Sequence, residues 1–218
     1  MRGDVVAVEP IETGLINSTW KVSCEADGET RRYVLQRINE EVFGDPEGVM
    51  RNVERVTRHI NDKVLRTRKD LSGRTLEMFP GRDGRAWVEN RGVWRCYGFL
   101  EGCRTHDVVE SPELAYQAAR AFGAFQDLVD DLDSGSLTET IPGFHDTPSR
   151  WGTLQAAGER EAFGRVKEVG EELAFIRQHE GEMSRVMDGL AAARIPTRTT
   201  HNDTKINNVM IDDVSGEA

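Results

Sequence analysis

Apolar and polar residues alternate in short runs over residues 5–38. Val5-Val6-Ala7-Val8 is apolar and Trp20-Lys21-Val22-Ser23-Cys24 alternates. Tyr33-Val34-Leu35-Gln36-Arg37-Ile38 returns after Ala26-Asp27-Gly28-Glu29. Period-two runs joined by a Gly-containing turn predict strands and a hairpin. The period then changes. Val49, Val53, Val56, Ile60 and Val64 recur at helical spacing behind Asp45, Pro46 and Glu47. An Asp cap, a Pro in the first turn and an acid at the positive end predict a helix from there to about Leu65.

Strand patterning resumes over residues 75–80, 85–89 and 93–97, with turns at 81–84 and 90–92. That makes roughly five strands and one inserted helix in the first 100 residues. Gly98-Phe99-Leu100-Glu101-Gly102 then breaks the pattern. Beyond it, Ser111-Pro112-Glu113 opens a helix whose core stripe runs through Leu114, Ala118, Ala121, Phe122, Phe125, Leu128, Val129 and Leu132. An extended segment, Ile141 to Pro148, leads to a helical stretch from Trp151 through Phe163, Val166, Val169, Leu173 and Ile176. Another follows through Met183, Val186, Met187 and Leu190. The expected class is α+β, in two lobes. Residues 1–100 form a small antiparallel β lobe with one helix, and residues 101–218 a mainly helical lobe.

Composition narrows the function classes. The 218 residues carry 28 basic and 38 acidic side chains, a net charge of −10. That balance disfavours a general nucleic-acid or anionic-membrane surface. Cys24, Cys96 and Cys103 are an odd set without Cys-x-x-Cys spacing, so no disulfide framework or zinc site is expected. No long apolar segment follows Met1, and a cytoplasmic protein without signal peptide or transmembrane helix is expected.

The candidate chemistry lies in His201-Asn202-Asp203-Thr204-Lys205-Ile206-Asn207-Asn208, an H-x-D-x-x-x-x-N pattern before the apolar Val209-Met210-Ile211. It resembles the catalytic loop of protein-kinase-like phosphotransferases, and with the order of lobes before it this resemblance implies a bilobal protein-kinase-like fold. There an Asp accepts the proton of the attacking hydroxyl, and an Asn five residues on holds a metal ion. Asp203 and Lys205 are the catalytic candidates, Lys205 for its reach to the transferring phosphate, and Asn208 is the candidate Mg²⁺ ligand. His201 is expected to brace the loop.

Around an ATP site, the turn-rich loop with Gly14, Asn17 and Thr19 is a candidate phosphate cover. Gln36 and Arg37 are alternatives for the strand residue on the phosphates. They point to opposite faces, and the sequence leaves the choice open. Glu54 is the candidate partner on the helix for that residue. Phe99, Leu100 and Glu101 are candidates for backbone contact with adenine. His145 and Asp146 are candidates for substrate binding, with helix capping the alternative for Asp146.

These segments together carry a resemblance to the aminoglycoside/choline-kinase-like phosphotransferases, and within them to the N-acetylhexosamine 1-kinases. It rests on Gly14 to Thr19, Tyr33 to Asn39 with Val42-Phe43, Gly143 to Pro148, and above all His201 to Met210. The resemblance implies ATP- and Mg²⁺-dependent phosphorylation of the anomeric hydroxyl of N-acetylglucosamine or N-acetylgalactosamine. It also implies that a strand with a second metal-binding Asp follows the loop. The chain reaches Ala218 where that strand would begin, and Asp212 and Asp213 come too soon. A kinase cut short is therefore expected, one that keeps much of the fold, turns over poorly and exposes apolar surface for self-association. The competing expectations are an aminoglycoside- or choline-type kinase and a noncatalytic nucleotide-binding module.

Overall fold

The computed structural model of the chain describes residues 3–12 and 16–218. Its contacts group into two compact units, residues 1–140 with 198–218, and residues 141–197. This division is by compactness.

The first unit is built on a five-stranded antiparallel sheet of β1 (Asp4–Pro10), β2 (Ser18–Ala26), β3 (Glu29–Arg37), β4 (Trp87–Glu89) and β5 (Val93–Gly98). The spatial order is β1-β2-β3-β5-β4, so β5 pairs with both β3 and β4. The β2–β3 hairpin turns at Asp27 (φ 54°) and Gly28 (φ 80°), a backbone that Gly adopts freely and Asp tolerates. The expected strand at 75–80 is reduced to one bridge, Met78 to Tyr97. Pro80 lacks an N–H and closes off further pairing there.

Helix α1 (Pro46–Thr67) follows β3, as the apolar spacing predicts. Asp45 caps it by accepting from the Gly48 N–H at 2.8 Å. Met50 of α1 is buried with Ile38, Trp87 and Val93, and Val53 packs against them. Trp87 stands opposite Arg95, so α1 lies on the sheet face that carries Arg95 and its cross-strand partner Gln36. The other face holds Val22, Cys24 and Tyr33 with Leu35 and Phe79, and Trp20 packs on Trp94 at 5.5 Å.

Helix α2 (Pro112–Leu128) starts at Ser111, whose hydroxyl accepts from the Leu114 N–H. It ends one turn before the predicted stripe does, with Val129 and Leu132 in the turns beyond. Leu128 and Val129 are buried with Ile60 and Val64 of α1. The short strands β6 (Cys103–Arg104) and β7 (Ile211–Asp212) pair antiparallel and tie the connector to the chain after the candidate loop.

The second unit contains α3 (Thr147–Arg160), α4 (Gly170–Gln178) and α5 (Arg185–Ala191). The expected run from Trp151 to Ile176 is broken. Glu161 caps α3 in the left-handed conformation (φ 41°), Gly164 follows with φ 64°, and a 3-10 turn leads into α4. Periodicity survives the break because the apolar residues still fall one turn apart. Trp151 is buried, with its indole N–H on Glu180 at 2.9 Å. The three cysteines are free. Among the described residues, no helix is long and apolar enough to cross a membrane.

Candidate active site

The candidate loop is seated on α2. Val209 and Ile211, just past the loop, are buried with Ala118, and Ile206, Leu114 and Phe122 pack against them. His201 stands edge-on to Phe122 at 5.5 Å and Phe125 at 5.6 Å, and its Nδ1 accepts from the Asp203 N–H at 3.4 Å. Asn207 donates to Asp107 Oδ1 at 3.1 Å. The alternation of loop residues is thus resolved into anchors (His201, Ile206, Asn207, Val209) and exposed polar groups (Asp203, Lys205, Asn208).

Those three polar groups meet. Asn208 Nδ2 donates to Asp203 Oδ2 at 2.9 Å and to the Asp203 backbone oxygen at 2.8 Å. Lys205 Nζ lies 3.3 Å from Asp203 Oδ2. The Asn208 amide beside it, then the Lys205 ammonium, hold the Asp203 carboxyl below the usual carboxylate range. Asp203 is therefore an ionised, solvent-accessible acceptor. Asn208 Oδ1 has no partner among the described residues.

That donor set suits Mg²⁺, a hard cation that keeps several waters and takes one or two protein oxygens besides phosphates. Asn208 Oδ1 is such an oxygen. Asp212 and Asp213 are engaged elsewhere. Asp212 accepts from Val214, Ser215 N–H and the Ser215 hydroxyl, and Asp213 pairs with Arg104. Among the described residues, no group of three or more His, Cys, Asp or Glu is arranged to hold a metal.

The nucleotide candidates separate. Gly14 lies outside the described residues. Asn17 Oδ1 accepts from the Asn39 N–H at 2.9 Å, and Asn39 donates back to the Ile16 carbonyl, which ties the β1–β2 loop to the end of β3. Gln36 shares the α1 face with Thr19 and Arg95, whereas Arg37 points to the opposite face beside Gly92. Arg37 lines a surface cavity of about 350 Å³ with Ile16, Ser18, Asn39, Glu40 and Glu41. Neither that cavity nor one of about 580 Å³ beside Trp87 and Trp94 is lined by Asp203.

Glu54 differs from expectation. It pairs with Arg58 at 2.6 Å, one turn along α1, and not with a strand residue. Spacing of four residues on one helix brings that pair together without any tertiary constraint. In the connector, the Phe99 N–H is already held by the Arg32 carbonyl at 3.2 Å, which extends the β3–β5 ladder. The N–H groups of Leu100 and Glu101 have no partner among the described residues. The Glu101 side chain binds Arg32 at 2.7 Å. Asp146 caps α3, accepting from the Ser149 N–H at 3.0 Å, so capping alone accounts for it. His145 stacks edge-on with Phe144 at 4.8 Å.

Arg95 was not singled out by the sequence pattern. Its Nε and Nη2 both donate to Gln36 Oε1, at 2.9 and 2.5 Å, and Gln36 Nε2 donates to Thr19 Oγ1 at 2.8 Å. The available signal was a charge in the middle of a strand of otherwise half-buried apolar neighbours.

The sheet with one helix packed on it and the Asp-Lys-Asn loop seated on a second helix define a protein-kinase-like α+β fold. The model of the phosphotransferase enzyme family matches residues 7–217, and the chain belongs to that family. Among solved structures, the chain is similar in fold to spectinomycin phosphotransferase APH(9)-Ia, a structure in complex with ADP and spectinomycin. The two share 11% identity at a TM-score of 0.53, over 98% of this chain and 62% of that one. The chain thus spans 62% of the length of that relative.

Proposed function

We propose that this protein transfers the γ-phosphoryl group of ATP to a hydroxyl of a small molecule, and that the acceptor is the anomeric hydroxyl of an N-acetylhexosamine. The observation that carries the reading is the ionised Asp203 carboxylate, locked by Asn208 and flanked by Lys205. Family membership supports the reaction class, and the sequence resemblance supports the acceptor.

In this reading the acceptor oxygen attacks the γ-phosphorus, the bond to the ADP oxygen breaks, and the acceptor proton passes to Asp203. Phosphoryl transfer asks mainly for positioning and neutralisation of charge. Asp203 orients the hydroxyl by accepting its hydrogen bond. Lys205 offsets charge on the transferring group. Asn208 fixes the direction of the Asp203 carboxylate through its Nδ2. Bound Mg²⁺, held by Asn208 Oδ1, would neutralise phosphate charge. Residues 1–100 would bind the nucleotide, with the Leu100 and Glu101 N–H groups available to adenine. Residues 101–218 would carry the catalytic loop.

The test is incubation with ATP and Mg²⁺ and, separately, N-acetylglucosamine, N-acetylgalactosamine, choline and spectinomycin, with products read by phosphorus NMR. A sugar 1-phosphate is expected. Phosphorylation of choline or spectinomycin alone would keep the kinase and overturn the acceptor. Nucleotide binding without any product would replace the enzyme by a binding module.

A further inference from the structure

Cations on the α1 face of the sheet are neutralised with one exception. Lys21, Arg32 and Arg95 lie on this face by register, since each stands opposite or two residues from Val34 or Gln36. Lys21 pairs with Glu9 at 2.8 Å and Arg32 with Glu101 at 2.7 Å. Arg95 has no carboxylate within ion-pair distance among the described residues. Its contacts are the neutral amide of Gln36 and the ring of Tyr97, 5.8 Å from the guanidinium carbon. It is half-buried, and loss of water around it pulls its guanidinium pKa down. A charge in that position gains from an anion that completes its hydrogen bonds.

The guanidinium keeps a donor for one. Gln36 Oε1 takes the Nε and Nη2 edge of the guanidinium, and Nη1 has no described partner. Gln36 is itself held by Thr19, on the strand that leaves the β1–β2 loop. The chain Thr19–Gln36–Arg95 thus fixes the planar guanidinium on the face where α1 packs, with its Nη1 side left to donate. Arg forks match phosphate oxygens better than any other side chain does.

We propose that Arg95 of β5 is the phosphate-binding cation of the nucleotide site, and that Gln36 of β3 is the residue that positions it. The proposal rests on the nucleotide reading given above. It replaces the choice between Gln36 and Arg37 by a division of labour. Gln36 supplies the face, Arg95 supplies the charge, and Arg37 on the opposite face takes no part.

The test is titration calorimetry of the whole chain with Mg²⁺-ATP and with adenosine, on the wild type and three variants. Arg95→Met keeps the stem and removes the charge. It is expected to lose about tenfold or more in ATP affinity while adenosine affinity stays unchanged. Gln36→Glu keeps Arg95 in place but supplies a permanent carboxylate. It is expected to weaken ATP binding similarly without lowering the unfolding midpoint, which keeps the proposal testable if Arg95→Met fails to fold. Arg37→Met is expected to bind ATP as the wild type does. Wild-type binding of ATP with unchanged affinity in Gln36→Glu, or in folded Arg95→Met, would overturn the role of Arg95 alone. Equal losses for ATP and adenosine would overturn it too, as damage to the sheet. Absence of ATP and adenosine binding by the wild type would overturn the nucleotide reading and this proposal with it.

Discussion

Asn208 and Asp203 are joined twice, because one amide nitrogen donates both to the carboxylate and to the backbone oxygen of the aspartate. The two hydrogen bonds close the six residues from Asp203 to Asn208 on themselves and set the direction of Oδ2. They also leave the amide oxygen of Asn208 without a partner among the described residues. Position and charge of the proposed base therefore depend on a residue that does not itself accept the proton.

Asp203→Asn removes the acceptor while keeping size. Turnover is expected to fall about 10²- to 10⁴-fold, with nucleotide affinity near that of the wild type. Steady-state kinetics together with calorimetry check this. Unchanged turnover would remove Asp203 from the reaction.

Asn208→Ala should shift the pH profile in a defined direction. The Asp203 carboxyl is held low first by Asn208 and then by Lys205. As a base it must be ionised, so turnover falls as pH drops through its pKa. Removing the largest lowering cause raises that pKa, and the acidic limb of the profile moves to higher pH. Nucleotide binding in this variant should also depend less on Mg²⁺. Profiles of turnover from pH 4 to 8, and binding with and without Mg²⁺, read both effects.

Ile211→Ala tests the seat of the loop. Ile211 is buried with Val209 and Ala118, so truncation is expected to cost about 2–5 kcal/mol, against about 0.5–1.5 for Ile211→Val. Urea unfolding followed by far-UV circular dichroism gives the values. Equal midpoints for the two variants would contradict the packing.

Lys63→Met tests the ionic clamp between α1 and the end of α2. Lys63 binds Asp130 at 2.5 Å and Asp131 at 2.8 Å, and His59 also reaches Asp131 at 3.0 Å. The Asp131 carboxyl is held low by Lys63 and then His59, so its contribution is present above the ordinary carboxylate range and lost as pH falls. The Lys63 ammonium is held high by Asp130 and Asp131, so its contribution is lost as pH rises through its pKa. The window runs from about pH 4 to about pH 10. Within it the variant should melt below the wild type, and the gap should narrow below pH 3 and in high salt. A gap independent of pH would point to lost packing instead.

Asp146→Ala separates capping from substrate binding. A lost N-cap costs about 1 kcal/mol, and that destabilisation is expected with KM for the acceptor unchanged. A raised KM at unchanged stability would assign Asp146 to the acceptor.

Local chemistry made much of this protein legible in its sequence. Asp45 and Ser111 announce α1 and α2 because a cap acts within three residues of itself. The β2–β3 hairpin follows from Asp27-Gly28, and the Asp203, Lys205 and Asn208 constellation from its spacing, for the same reason: each partner lies within a few residues of the other. Where partners are far apart in the chain, only the tertiary structure decided. Gln36 and Arg37 are equivalent until β5 pairs with β3 and brings Arg95, 59 positions away, against one of them. Glu54, by contrast, faces Arg58 by local spacing alone, since the helix brings residues four apart together. Phe99 lost its N–H to Arg32 because the ladder ran one residue further than its apolar pattern. Sequence determined the elements and the loop, since those are held by short-range bonds. Register and packing determined which side chains share a face, since cross-strand neighbours are set by long-range pairing alone.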